Sequence, residues 1–276
     1  MLDHIFFLFL GFILGILTGF LGIGGGFFIT PALNIFGFKM IDAIGISFST
    51  IVGNTLVGTI KHHRFGNVDF RLGILIGSFS LVGVELGRRL IFYLEKESLA
   101  GTCVRLTYIL SLFLISVFML KEYHKIRNLK IGRKMILEER SSFIRRLYQI
   151  SLSPKISFPR SEIDSISIWV ILFFGVLIGF FSGFMGIGGG FIGLPLMIYI
   201  VGVPTVVAVG TSLITVFFTS CYGMIVFSLE GYVKWMVVLT LLAGSFFGIQ
   251  LGAHAARHVT SIRIRFLFAL FLLFIA

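Results

Sequence analysis

Residues 19–31 read GFLGIGGGFFITP and residues 183–195 read GFMGIGGGFIGLP, the same glycine cluster twice, each closed by a proline. The triplets Gly24, Gly25, Gly26 and Gly188, Gly189, Gly190 have no side chains to shield the backbone and tolerate positive φ. Three chemistries fit such a run: a phosphate loop, a close helix contact, or a helix break that binds a ligand. The phosphate loop fits worst, because no Lys-Ser or Lys-Thr follows the glycines and nothing strand-like precedes them. A helix restarting at Phe27 or Phe191 would aim its unpaired N–H groups, and the positive end of its dipole, back at the break. Two such breaks would line one cavity for a small anion. The upstream glycines, Gly11, Gly15, Gly19 and Gly175, Gly179, Gly183, have the spacing of close helix packing instead.

A polar cluster follows each break: Ser47, Ser49, Thr50 and Asn54 in one case, Thr211, Ser212, Thr215 and Thr219 in the other. Spacings of three and four put many of these on one helical face. Their hydroxyls and amide can donate to a bound oxyanion, or they can tie helices together. Ser47 and Ser212 stand at matching places and are the candidate site members. Glu85 is a charge inside an apolar run, which marks function by default. It reads either as a proton-coupling carboxylate or as an ion-pair partner of Arg88 or Arg89, and the second is the simpler reading. Arg105, near the start of its apolar run, can snorkel to the interface.

His62, His63 and His254 lie at loops or span ends with no carboxylate or cysteine at ligand spacing, so neither a metal site nor a cofactor is expected. Cys103 and Cys221 sit in apolar segments and read as small buried hydrophobes. Ser182 with His254 as base would make an intramembrane hydrolase. The run GFFSG lacks the glycine two residues before that serine, and Thr18 takes its place in the first half, so no enzyme is expected.

The elements that position these residues are membrane spans. The 276 residues are 57% hydrophobic and 13% charged, with a mean hydropathy of +1.04, where soluble domains carry about a quarter charged residues. Leu72–Ile91, Val104–Leu120, Ile166–Phe181, Val206–Leu229 and Val233–Leu251 each approach the roughly 17–25 residues that cross a bilayer. The fold class is an all-α polytopic membrane protein, with the lipid bilayer as its partner. Met1–Leu10 has no basic flank and no cleavage pattern, so the first apolar block reads as retained. The net charge of +11 does not point to nucleic acid, because 11 of the 23 Lys and Arg fall in Lys121–Arg160. Basic loops of this kind lie on the cytoplasmic side against anionic lipid; a partner-docking arm is the other reading.

Sliding the chain by 164 residues lays Gly24 on Gly188 and Pro31 on Pro195; with one inserted residue, Gly45 meets Gly210 and Gly87 meets Gly252. The expected organisation is a first transmembrane repeat (1–120), a basic cytoplasmic loop (121–165) and a second repeat (166–276). Each repeat holds a glycine-broken helical hairpin plus about three spans. Ile5–Phe36 as one helix would be roughly 48 Å long, against a hydrocarbon core of about 30 Å, so two short helices meeting at the break are expected. With that hairpin the positive-inside rule gives inverted repeats and an N-terminus outside, although Arg88 and Arg89 then land outside.

GFLGIGGGFFITP and GFMGIGGGFIGLP resemble the paired motifs of the sulfite exporter TauE/SafE family. GISFS and GTSLI, RFGNVD and GYVKW, and GVELG and GIQLG extend the resemblance over nearly the whole chain except the basic loop. The resemblance implies a transporter of small sulfur oxyanions or organosulfonates, such as sulfite or sulfoacetate, exported across the bacterial inner membrane. Glu85, the long basic loop and the short final span, Ile262–Ala276, depart from the family pattern. The alternative to transport is a membrane scaffold whose basic loop recruits a partner. Neither the particular anion nor the oligomeric state follows from the sequence.

Overall fold

In hydrocarbon every backbone N–H and C=O must be satisfied within the structure, so the apolar runs fold as helices. The computed structural model describes residues 2–128 and 152–275. Much of the basic loop expected over 121–165 therefore lies outside the described residues. Five helices precede it: α1 (Leu2–Leu21), α2 (Gly26–Ile35), α3 (Met40–Arg64), α4 (Phe70–Lys96) and α5 (Ala100–Asn128). An antiparallel hairpin of β1 (Lys155–Phe158) and β2 (Ile163–Ser167) comes next. Five more helices follow: α6 (Ile168–Met185), α7 (Gly190–Pro195, running into a π-helical turn Leu196–Val201), α8 (Thr205–Leu229), α9 (Trp235–His258) and α10 (Ser261–Ile275). Among the described residues six helices, α3, α4, α5, α6, α8 and α9, are long and apolar enough to span a membrane. Ile5–Phe36 is two helices meeting at the glycines, and Phe36 returns to the start of α1, its ring 4.4 Å from that of Phe6.

The closest packing joins distant parts of the chain. Gly11, Gly15 and Gly19 of α1 face Leu241, Ser245 and Ile249 of α9, while Gly244, Gly248 and Gly252 of α9 face Leu8, Phe12 and Ile16 of α1. A methyl group on any of these glycines would overlap the facing backbone carbonyl, so the two helices touch main chain to main chain. The register rises together on both, which makes α1 and α9 parallel. Gly175, Gly179 and Gly183 of α6 pack on Ile76, Ser80 and Val84 of α4 in the same way, with Gly83 and Gly87 returning the contact. α3 and α8 pack against each other at the centre, and α5 packs on α10, where Ser116 Oγ donates to the Ala269 carbonyl (2.7 Å).

The two ends of the bundle differ in charge. At one end Lys61 and Arg257 lie over the Phe65 ring (5.9 and 5.5 Å). Asp69 there caps α4 by accepting from Leu72 N–H (3.1 Å) and takes the hydroxyl of Ser161 from the β-hairpin (2.7 Å). Its own N–H donates to Thr211 Oγ1 (3.0 Å), which locks the hairpin to α4 and α8. The opposite end carries Glu85, Arg88 and the α8–α9 connection, with the rings of Phe92 and Tyr232 5.6 Å apart. Between the ends, the outer face exposes Ile74, Val82, Phe113, Leu114, Phe173, Leu239 and Phe247. So wide an apolar belt is stable against lipid, not water. The chain is a multi-pass protein of the cell membrane.

Candidate substrate site at the paired helix breaks

Both glycine clusters interrupt a helix in the middle of the bundle. Gly22, Gly24 and Gly25 have φ of 70°, 77° and 85°, and Gly186, Gly188 and Gly189 have 72°, 68° and 79°, the left-handed region that side chains with a Cβ rarely enter. Here the glycines are required by conformation as well as by space. The breaks meet each other: a Cβ on Gly26 would lie 2.9 Å from the Ile187 backbone, and one on Gly190 would lie 2.7 Å from Ile23 Cα. Ile51 of α3 and Val216 of α8 fill the space between them, each set against both Gly24 and Gly188. These two residues stand at matching places in the halves, 165 apart (216 − 51).

Several carbonyl groups of the breaks are taken. Ser212 Oγ donates to Gly22 O (2.7 Å), Thr219 Oγ1 to Gly188 O (2.8 Å), and Thr30 Oγ1 to Gly186 O (3.2 Å). Ser47 Oγ makes a longer contact to Gly26 O (3.5 Å). Fewer of the N–H groups are taken: those of Gly24 to Phe27 have no acceptor among the described residues, whereas Gly188 and Gly189 lie in a hydrogen-bonded turn, and Phe28, Ile29 and Gly193 bond back to Gly25 and Gly189. Phe27, Phe191, Ile23 and Ile187 are fully buried. Buried N–H groups are almost always paired, so the unpaired ones at the first break ask for an acceptor from outside the chain.

Of the residues singled out in the sequence, Gly24, Gly26, Gly188 and Gly190 meet where the breaks touch, Gly25 and Gly189 face Thr18 and Ile178 of their own halves, and Ser47 and Ser212 tie carbonyls beside them. Four further polar atoms border the breaks without any partner among the described residues: Thr18 Oγ1, Asn54 Nδ2, Ser182 Oγ and Ser220 Oγ. Asn54 was legible as part of the polar cluster, whereas Ser182 was weighed only as a hydrolase nucleophile, Thr18 only as its counterpart in the first half, and Ser220 gave no signal. Ser182 is fully buried and His254 is exposed, its ring 5.0 Å from that of His258.

Glu85 lies apart from the breaks. Arg88 Nε and Nη2 each donate to it at 2.7 Å, Arg89 Nε at 2.7 Å, and Tyr222 O–H at 2.8 Å. Both carboxylate oxygens are engaged by two guanidinium groups. Arg105 donates to Asn34 Oδ1 (3.0 Å), tying α5 to the end of α2. Among the described residues no group of three His, Cys, Asp or Glu side chains is placed to hold a metal ion.

Several membrane-spanning helices around two interrupted ones that meet inside the bundle are the build of a membrane transporter. The chain belongs to the family described as Sulfite exporter TauE/SafE, which it matches over residues 7–276. It is 27% identical over 245 residues to the probable membrane transporter protein YdhB of Bacillus subtilis, covering 88% of this chain and 86% of that one. YunE of the same organism, also a probable membrane transporter protein, is 27% identical over 88% of this chain and 85% of its own length. The probable membrane transporter protein MJ0441 of Methanocaldococcus jannaschii is 27% identical over 81% of this chain and 73% of its own. No solved structure matches the chain.

Proposed function

We propose that this protein is a secondary transporter, without enzymatic activity, that exports a small anion, sulfite or an organosulfonate. The anion binds between the two GIGGG breaks, held by the N–H groups of Gly24, Gly25 and Gly26 and of Gly188, Gly189 and Gly190. The observation that carries this reading is the close approach of two buried helix breaks, the first of which has unpaired N–H donors. Backbone donors suit the task because they carry fixed partial charge and bind an anion without a buried cation that would hold it too tightly. Ser47 and Ser212 contribute by engaging carbonyls, which removes acceptors that would repel the substrate.

The chain works as two repeats, 1–120 and 166–276, inverted relative to each other and joined by the cytoplasmic basic loop 121–165, with the N-terminus outside. Parallel packing of α1 on α9 and of α6 on α4 supports the inversion, since each broken hairpin then enters from the opposite end of the bundle. Ile51 and Val216 close the path between the breaks in this state, and transport requires them to part.

Uptake into proteoliposomes of the purified protein tests the proposal, with sulfite, sulfate, sulfoacetate and taurine as substrates and lactate as control, each with and without a pH gradient. Protein-dependent flux of a sulfur anion is expected. Folded protein that moves none of them would shift the assignment to an unrelated anion, or to a scaffold acting through its basic loop.

A further inference from the structure

Most buried hydroxyls in this bundle have an acceptor. Ser49 donates to Gly45 O, Thr50 to Ile46 O, Thr55 to Ile51 O and Thr219 to Gly188 O. Thr18 Oγ1 and Asn54 Nδ2 have no partner among the described residues, although both side chains are fully buried. They face the same spot. A Cβ on Gly25 would lie 2.8 Å from Thr18 Oγ1 and 3.9 Å from Asn54 Nδ2, with the Leu14 carbonyl, already in the helix ladder, at 3.7 Å. The other amide atom, Asn54 Oδ1, accepts from Ser245 Oγ (2.5 Å), which turns the NH₂ toward the break. Gly25 is also the N-cap of α2, a ten-residue helix whose opening N–H groups are free.

We infer that Thr18 Oγ1 and Asn54 Nδ2, with the N–H groups that open α2, form a subsite beside Gly25 for an –SO₃ group of sulfite or a sulfonate. This rests on the reading of the chain as an anion transporter. The subsite is built from donors on three elements: the last turn of α1, the middle of α3 and the start of α2. Such a set matches a group with three acceptor oxygens on one sulfur and gives no purchase to a cation. All of its donors are neutral, so it recognises an anion and can still release it. The second break differs. Thr219 occupies the place of Asn54 and donates to Gly188 O, which leaves the hydroxyls of Ser182 and Ser220 there without an amide. The halves are therefore unequal, and the first break is the principal hold on the substrate.

A buried donor kept unpaired for a ligand lowers the stability of the empty protein. Binding and structural roles for Thr18 thus predict opposite results in Thr18→Val, which keeps shape and removes the hydroxyl. The experiment uses the full chain: concentration-dependent uptake of radiolabelled sulfite and of sulfoacetate in proteoliposomes, and thermal unfolding in detergent without substrate. For Thr18→Val the KM should rise roughly tenfold or more, the size of one hydrogen bond to a charged group, while the melting temperature equals or exceeds that of the wild type. Thr18→Ser should retain the wild-type KM, and Asn54→Asp, which puts an acceptor where the donor was, should abolish uptake. A Thr18→Val KM within twofold of wild type, or a rise accompanied by a lower melting temperature, overturns the subsite while transport stands. Wild-type protein that carries neither anion overturns the transport reading and the subsite with it.

Discussion

Replacing Gly25 by alanine sets one methyl group against the Thr18 hydroxyl and near the Asn54 amide, and its two consequences can be separated. The first is conformational. Gly25 sits at φ 85°, and a residue with a Cβ held there costs about 1–2 kcal/mol. Space adds little, because the methyl meets the Thr18 hydroxyl at 2.8 Å, a side chain able to rotate, and its nearest backbone atom is at 3.7 Å. The variant should fold and reach the membrane. The second consequence is chemical: the methyl occupies the place of a substrate oxygen and displaces Thr18 from it. Loss of one hydrogen bond to a charged group is worth about 1.5–3 kcal/mol, or roughly 10- to 100-fold in affinity. Sulfite uptake at rising concentration, normalised to folded protein by size-exclusion chromatography, reads that factor. Gly189→Ala is the contrast, since its methyl would meet Ile178 Cγ2 at 2.5 Å and must also move that side chain, so it should lose more stability. Gly25→Ala protein with wild-type KM and maximal rate would refute the placement of substrate at the first break.

Gly179→Ala and Gly248→Ala would each drive a methyl into a facing carbonyl, of Ser80 and of Phe12, and should destabilise the bundle by about 1–3 kcal/mol, measurable as a lower melting temperature in detergent. Glu85→Gln should cost about 1 kcal/mol of stability, the scale of a partly exposed ion pair, and should leave both sulfite flux and its pH profile unchanged; a flattened profile would make Glu85 a coupling group after all. Ile51→Ala and Val216→Ala remove methyl groups from the contact between the breaks, and should raise the rate for bulky sulfonates relative to sulfite at a cost of about 2–4 kcal/mol in stability for the isoleucine. An unchanged ratio would place the narrowest point of the path elsewhere.

The breaks were legible in the sequence because glycine is the residue whose placement reports directly on backbone conformation, and the same glycine triplet recurs 164 residues apart. The packing glycines were legible for a related reason: main-chain contact between helices needs a missing side chain every fourth residue, a spacing visible without a structure. The partner was not visible. Gly11, Gly15 and Gly19 give no sign that they pack on α9 instead of a neighbour in their own half. The hydroxyls were least legible, because a serine or threonine in an apolar helix looks the same whether or not its proton has an acceptor. Thr55 bonds back to Ile51 O, whereas Thr18 is left facing the break, and only the surrounding geometry separates them.

The pairing of α1 with α9 has a further consequence for how the protein is made. α1 leaves the ribosome well before its partner, and the helix that covers its glycine face is complete only at His258, 237 residues after Leu21 (258 − 21). At roughly 5–20 residues per second, that face waits about 10–50 s for its cover. During that interval lipid, or the insertion machinery, must shield a surface shaped for another backbone. α6 emerges after its partner α4, so its own glycine face has a cover waiting. Biogenesis is therefore lopsided even though the finished packing is balanced, and a chain truncated before residue 235 strands its first helix.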